Sequence, residues 1–246
     1  MSVVHRWDRL TRTELAELAP EALLLLPVGS TEQHGPHLAT GTDAALAGEI
    51  ARRGAEAAAR PGTILLAPTL AYGASDHHLP FGATLSLRVE TFGLVLRDLL
   101  ASAACAGCRR VFVLNGHGGN TASCAVAVAE TSREHGLLAA SAIYSQLLEP
   151  GTLDAPVPGH AGQFETSLML AIAAEGVRLE AARPSPGGAA RTRHRGLTVA
   201  EPGRWQELDG FTDHPDDASP ELGGTLLDAC VRAVASAIEE LAGLDA

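Results

Sequence analysis

The stretch ALLLLPVGSTEQHGPHLATGTDAALAGEI, residues 22–50, decides how the fold is read. It opens on a run, ALLLLPV, that no polar side chain interrupts. A half-buried strand alternates apolar and polar residues, so an unbroken run reads as a strand covered on both faces, as in a parallel sheet between helices. From Asp43 the chain turns Ala-rich with helical spacing. A short polar loop joins the two and crowds Glu32, His34, His37 and Asp43 together.

The same alternation recurs outward from this unit. TILLAPT (63–69), RVFVLN (110–115) and LLAASAIY (137–144) read as further strands, and residues 43–60, 89–106 and 121–135 as helices between them. The expectation is an α/β protein, a three-layer α/β/α sandwich with a mostly parallel central sheet. The right-handed crossover rule narrows the topologies without selecting a strand order. At 246 residues, one domain over 1–246 is expected. Residues 184–220 are rich in Pro, Gly, Arg and Asp and read as a long irregular excursion, with a hairpin around 196–205; an amphipathic helix over 221–241 closes the chain.

Composition limits the function classes. Apolar residues at 46% and charged ones at 19% suit a packed globular chain, and aromatics at 4% leave Ala, Leu and Val to fill the core. A net charge of −11 argues against a nucleic-acid partner, and the basic cluster RTRHR (191–195) reads as a solvated loop. The first residues, MSVVHRWDRL, carry charges where a secretory signal needs apolar side chains, and no segment is apolar enough to span a bilayer. A cytoplasmic location without a membrane partner is expected. Cys105 and Cys108 form a CAGC with no second CxxC, and Cys124 and Cys230 stand alone, so buried thiols are the expected reading.

In open α/β sheets, ligands collect at the carboxyl ends of strands. Three polar clusters follow apolar runs or lead into helices: TEQHGPHLATGTD (31–43), NGHGGN (115–120) and GHAGQFETSLML (159–170). They offer Glu32, His34, Asp43, His117, His160 and Glu165. Mixed imidazole and carboxylate suits Zn²⁺, Mn²⁺ or Fe²⁺, whereas all-oxygen sets suit Mg²⁺ or Ca²⁺. Glu32 and His34, two apart, point the same way in extended chain. Singly, each feature has a plainer reading: NGHGGN a tight turn, Asp43 a helix cap, a lone histidine a packed side chain. A phosphate cradle is a rival for NGHGGN, but it lacks a P-loop lysine and dinucleotide spacing. Three loops gaining metal-type residues together favours a metal centre.

GSTEQHGPHL followed by TD, then NGHGGN, then HAGQFETSLML stand in the order and spacing of the hallmark segments of the creatininase (creatinine amidohydrolase) family. The chain resembles that family from about residue 24 to residue 170, and more loosely beyond. The resemblance implies two divalent ions per subunit, Zn²⁺ first with Mn²⁺ or Fe²⁺ as alternatives, and hydrolysis of a C–N bond in a small-molecule or peptide-like amide. It also implies a homo-oligomer, specifically a hexamer. By motif position, Glu32, His34, Asp43 and His117 are similar to the metal ligands, with Asp43 bridging, and His160 to the histidine that moves protons. Creatininase itself has a glutamate where this chain has Gly119, and Glu165 is similar to a compensating ligand. The nearest counterparts of its tryptophans beside the site are Tyr144 and Pro156, which speaks against creatinine as substrate and leaves formyl and peptide amides open.

The mechanism so implied is attack by a hydroxide bridging the two ions, with His160 passing a proton to the departing nitrogen. His37, Asn115 and Asn120 are expected to orient ligands. Asp76, His77 and His78 in SDHHLPFGATLSL (75–87), with Tyr144, are expected at the pocket. Trp205 and the loop before it are expected to reach a neighbouring subunit's site. The alternatives are a metal-stapled scaffold without turnover and a two-metal phosphoesterase, although the three motifs contain no Arg or Lys to clamp a phosphoryl group.

Overall fold

The uninterrupted leucines of the opening run form the middle strand of a parallel sheet, and alternate leucines enter opposite cores. In the computed structural model, residues 2–59, 62–149, 151–152, 159–186 and 201–244 are described; the basic cluster at 191–195, Pro156 and residues 196–200 of the expected hairpin lie outside them. The strands are β1 (Val3–Arg6), β2 (Leu23–Val28), β3 (Thr63–Leu66), β4 (Arg110–Asn115) and β5 (Leu138–Ile143). They stand in the order β1-β3-β2-β4-β5, and every pairing is parallel.

The helices are α1 (Arg12–Leu18), α2 (Thr42–Ala57), α3 (Val89–Cys105), α4 (Thr121–His135), α5 (Gln163–Ile172), α6 (Arg204–Glu207) and α7 (Pro220–Ala242). Because strand side chains alternate faces, Leu23, Leu25, Phe112 and Leu114 pack with Ile50 of α2, Leu168 of α5 and Val234 of α7. Leu24, Leu26, Val111 and Val113 pack instead with Leu96 of α3 and Ala127 of α4. Each leucine so buried contributes about 1.5–3 kcal/mol. The result is a three-layer α/β/α sandwich with a wholly parallel sheet.

Strand order positions the site. From β2 the chain runs through α2 on one face to β3; from β4 it runs through α4 on the other face to β5. Connections that depart in opposite directions from adjacent strands open a crevice between their carboxyl ends. That crevice lies between β2 and β4.

Several expectations need correction. β1 is an edge strand of four residues, and α1, which follows it closely, is fixed by a reciprocal cap between Thr11 and Glu14. β3 stops at Leu66, ahead of Pro68, which has no N–H to give a ladder. β5, at the opposite edge, is half-buried. Residues 204–207, at the end of the expected hairpin, form a helical turn instead. Cys105 is exposed, while Cys108, Cys124 and Cys230 are buried and all are free. Among the described residues no helix is long and apolar enough to cross a membrane.

Candidate functional site

Two glycines bring α2 up against the strand ends. A Cβ on Gly29 would lie 2.6 Å from Ala44 Cα, and one on Gly116 would lie 2.7 Å from the Asp43 carbonyl oxygen. Only glycine permits that approach, so the amino end of α2 sits across β2 and β4. Asp43, the second residue of α2, therefore enters the crevice. Gly41 occupies the cap position, and the Asp43 carboxylate is directed away from capping.

Asp43 divides its oxygens between two histidines. Oδ1 is 3.1 Å from His34 Nε2 and Oδ2 is 3.1 Å from His117 Nδ1. Glu32 Oε1 stands 3.2 Å from His117 Nδ1, 3.5 Å from His160 Nδ1 and 3.6 Å from His78 Nε2. Glu165 Oε2 is 3.9 Å from His34 Nε2 and accepts the Ala161 N–H at 2.6 Å. All of these side chains are buried.

The outer edges of the histidines explain what the inner edges offer. His34 Nδ1 meets the Glu32 carbonyl at 3.2 Å, His117 Nε2 the Ala74 carbonyl at 3.0 Å, and His160 Nε2 the Gln33 carbonyl at 3.0 Å. A carbonyl only accepts, so each outer nitrogen donates, and a neutral ring then turns a lone pair inward. Lone pairs and carboxylates cannot share a dry centre without a proton or a cation between them. Both Glu32 carboxylate oxygens and Asp43 Oδ2 have no hydrogen-bond partner among the described residues. The donor set and its orphaned oxygens fit divalent cations.

The titration of these groups carries the same message. Burial works against charge on His34, but Asp43, Glu165 and Glu32 outweigh it and raise its pKa to about 9. Burial likewise opposes charge on His117, and Asp43 and Glu32 again prevail and push it well above the ordinary imidazole value. Burial would raise the Asp43 carboxyl, yet His34 and His117 hold it well below the carboxylate range. Glu165 rises to about 7, through burial and the neighbouring carboxylates. His160, buried and faced by His34 and His78, is held well below the usual value and stays neutral.

Three groups offer one ligand atom each within 4.8 Å of one another: His34, Asp43 and Glu165; Glu32, His34 and His160; and Glu32, His77 and His117. All five residues expected as ligands, and His160, thus lie together. Asn115 clamps the His117 backbone, accepting its N–H at 2.9 Å and donating to its carbonyl at 2.7 Å. Asn120 ties two loops, donating to the Gly29 carbonyl at 3.0 Å and accepting the Ala74 N–H at 2.9 Å. His37 Nε2 faces the Ala161 carbonyl at 2.9 Å and the Thr166 hydroxyl at 3.1 Å, beneath the third loop. Tyr144 is 2% exposed and stacks on Phe164, so it backs Glu165 from the core. Asp76 accepts from Ser86 at 2.9 Å and holds the turn that carries His77 and His78.

One participant escapes a reading by motif, and Trp205, expected at a neighbouring subunit's site, takes a different place. Gln33, between two ligand residues, folds its amide back to the Gly210 carbonyl at 2.6 Å and to His78 Nδ1 at 2.8 Å, and nothing in its spacing announces this. Trp205 lies over its own chain's site, with ring centroids 4.7 Å from His78 and 5.5 Å from His160. In a chain with two tryptophans, one inside a polar excursion was the available signal.

The creatininase (creatinine amidohydrolase) profile matches residues 8–238. The chain is 33% identical over 251 aligned residues to the mycofactocin precursor peptide peptidase of Mycobacterium tuberculosis, covering 95% of this chain and 92% of that protein. A mutant creatininase of Zn-Zn type superposes with a TM-score of 0.78 at 27% identity, and a manganese creatininase with 0.77 at 28%, each over 96% of this chain and 97% of the other. The carboxylates and imidazoles gathered at the β2–β4 switch point thus belong to a member of the creatininase family, enzymes that hydrolyse C–N amide bonds.

Proposed function

We propose that the chain is a metal-dependent amidohydrolase in which Glu32, His34, Asp43, His117 and Glu165 hold two divalent ions, with Asp43 shared between them. The observation that carries this is the pairing of orphaned Glu32 and Asp43 oxygens with imidazoles whose outer nitrogens are tied to backbone carbonyls. Histidine ligands are oriented in this way at metal centres. When bound, such ions supply the Lewis acidity that polarises an amide carbonyl and brings water to hydroxide near neutral pH. Zinc is the expected occupant, with manganese or iron as alternatives, because imidazole and carboxylate are mixed.

His160 moves the proton. Its Nε2 donates to the Gln33 carbonyl, so a neutral ring presents Nδ1 to the centre beside Glu32. Burial and the facing imidazoles keep it neutral. Its inward Nδ1 lone pair is placed to take a proton released at the centre and to hand it to the departing nitrogen. Trp205 and His78 wall that side and limit water.

The substrate class we favour is a peptide-like amide, on the strength of the 33% identity with the peptide peptidase along 95% of the chain. The three motif segments, residues 31–43, 115–120 and 159–170, contain no Arg or Lys, which favours a neutral amide over a phosphate ester. A homo-hexamer remains the expected assembly from the family resemblance. Elemental analysis of the purified protein should find two ions per chain, and chelation should abolish hydrolysis of short peptides until metals are restored one at a time. A parallel screen with formamides, creatinine and a generic phosphate ester sorts the substrate classes. Hydrolysis that survives complete metal removal overturns the reading.

A further inference from the structure

His77 is the second residue of the 3₁₀ turn Asp76–Phe81, and it stands where a ligand is wanted. A ring nitrogen of His77, a Glu32 oxygen and a His117 nitrogen lie within 4.8 Å of one another. Its ring is parallel to that of His117, at 6° and 5.7 Å, and rests 5.6 Å from Trp205. The turn is anchored by the Ser75 N–H on Ser86 Oγ at 2.7 Å, with Ser86 in turn bonded to Asp76. Among the described residues, neither ring nitrogen of His77 has a hydrogen-bond partner, whereas His78, His117 and His160 each have one. His78 also approaches Glu32 but joins no such triad.

The two halves of the centre are otherwise evenly supplied. His34, Asp43 Oδ1 and Glu165 face one position; His117, Asp43 Oδ2 and Glu32 face the other. Position 119 cannot add a fourth donor, because a Cβ there would lie 2.5 Å from His117 Nε2, on the edge of that ring turned away from the carboxylates. We infer that His77 is the fourth protein ligand of the ion held by Glu32, Asp43 and His117, an inference that rests on the two-ion reading above.

The consequence is an asymmetric pair. With His77 engaged, one position has two imidazoles and two carboxylates, a closed four-donor set of the kind that anchors zinc. The other keeps three protein donors, a single imidazole among them, and stays open to water or a substrate carbonyl. The extra imidazole also tilts the closed position toward zinc and away from manganese.

Zinc and manganese titrations of the chelator-treated full chain, with cobalt(II) absorption as a second readout, test this in wild type, His77→Ala and His77→Glu. Wild type should bind two ions. His77→Ala should weaken one of them at least about 10-fold, since loss of an outer-shell partner alone costs that much. The other should be untouched, and the cobalt bands should lose intensity as water enters the coordination shell. His77→Glu returns a donor atom without the imidazole and should recover the second ion with a shifted preference toward manganese. Superimposable wild-type and His77→Ala titrations and spectra, with two ions in wild type, overturn the inference and leave the two-ion reading standing. Failure of His77→Glu to recover the ion lost in His77→Ala assigns the loss to the fold and overturns it too. Fewer than two ions in wild type overturns both.

Discussion

The two ends of the sheet hold opposite kinds of space. At the amino ends of the strands, Glu21, Leu23, Ala58, Thr63, Arg110 and Ile238 help line a cavity of about 170 Å³. Its polar groups are ordinary: Glu21 is exposed, and Arg110 reaches the Leu244 carbonyl at 3.3 Å. The carboxyl ends offer buried charge instead, with Glu32 fully enclosed and both its oxygens without a hydrogen-bond partner among the described residues. The lesson is that hollow volume does not mark the chemistry. Unneutralised buried carboxylates at the switch point between β2 and β4 do, because such groups are retained only where something charged compensates them.

The sharpest way to break that contrast is to remove one charge at each end. Asp43→Asn keeps the shape of the side chain while leaving both facing histidines without their shared carboxylate. Activity should fall by about 10³-fold or more, equivalent to roughly 4 kcal/mol of transition-state stabilisation, and at least one ion should be lost. Glu21→Gln at the opposite end should change neither kcat/KM nor metal content. Next in size is His160→Ala, for which turnover should fall about 10²- to 10⁴-fold with both ions retained. Elemental analysis beside steady-state kinetics decides it, and loss of an ion along with activity would make His160 a ligand rather than a proton carrier.

These contrasts also show what the sequence could and could not convey. ALLLLPV and RVFVLN announce their burial because the strands they form are covered on both faces, so apolar side chains fill both cores and polar ones, Arg110 and Asn115, stand only at the ends of β4. VVHR, an edge strand with two exposed ends, carries no such pattern. The α1 helix had a signal in Thr11 and Glu14, three apart, that goes unnoticed beside the stronger runs. At the site, the residue types were legible because His, Asp and Glu crowd into three short motifs. The pairing of oxygens with nitrogens was not, since it follows from the strand order that sets β2 beside β4. Gln33 and His77 show the remainder: their roles depend on how a loop folds back, which no periodicity encodes.

A smaller effect, on stability, separates the ends by pH. In the metal-free chain the proton on His34 stands in for a cation, and its pKa of about 9 lies above the ordinary 6.5. That stabilisation is fully present below 6.5, where folded and unfolded chains are both protonated, and is lost as pH rises through 9. Glu165, raised from 4.5 to about 7, acts with the same sign over a lower window, because the folded chain holds its proton longer. Chelated protein should therefore lose several degrees of Tm between pH 7 and 9, at about 2–4 °C per kcal/mol for a chain of this size. Metal binding displaces these protons, so the loaded protein should show a flatter profile. Equal slopes with and without chelator would mean that the ions and the protons do not compete for the same centre.

The finest distinction lies in two glycines. A Cβ on Gly116 would press on the Asp43 carbonyl oxygen at 2.7 Å and on Ala47 Cβ at 3.0 Å, whereas one on Gly62, lining the amino-end cavity, meets nothing within 4 Å among the described residues. Gly62→Ala should stay within about 0.5 kcal/mol of the parent in denaturant unfolding. Gly116→Ala has no free space, and relief requires α2 to back away from β4, at about 1–3 kcal/mol. That movement carries Asp43 with it, so ion affinity should suffer beyond what the loss of stability accounts for, and titration of both variants at matched temperature measures the excess. If Gly116→Ala proves as silent as Gly62→Ala, close seating of α2 is not what delivers Asp43 to the crevice. The chemical difference between the two ends would then have to come from the loops alone.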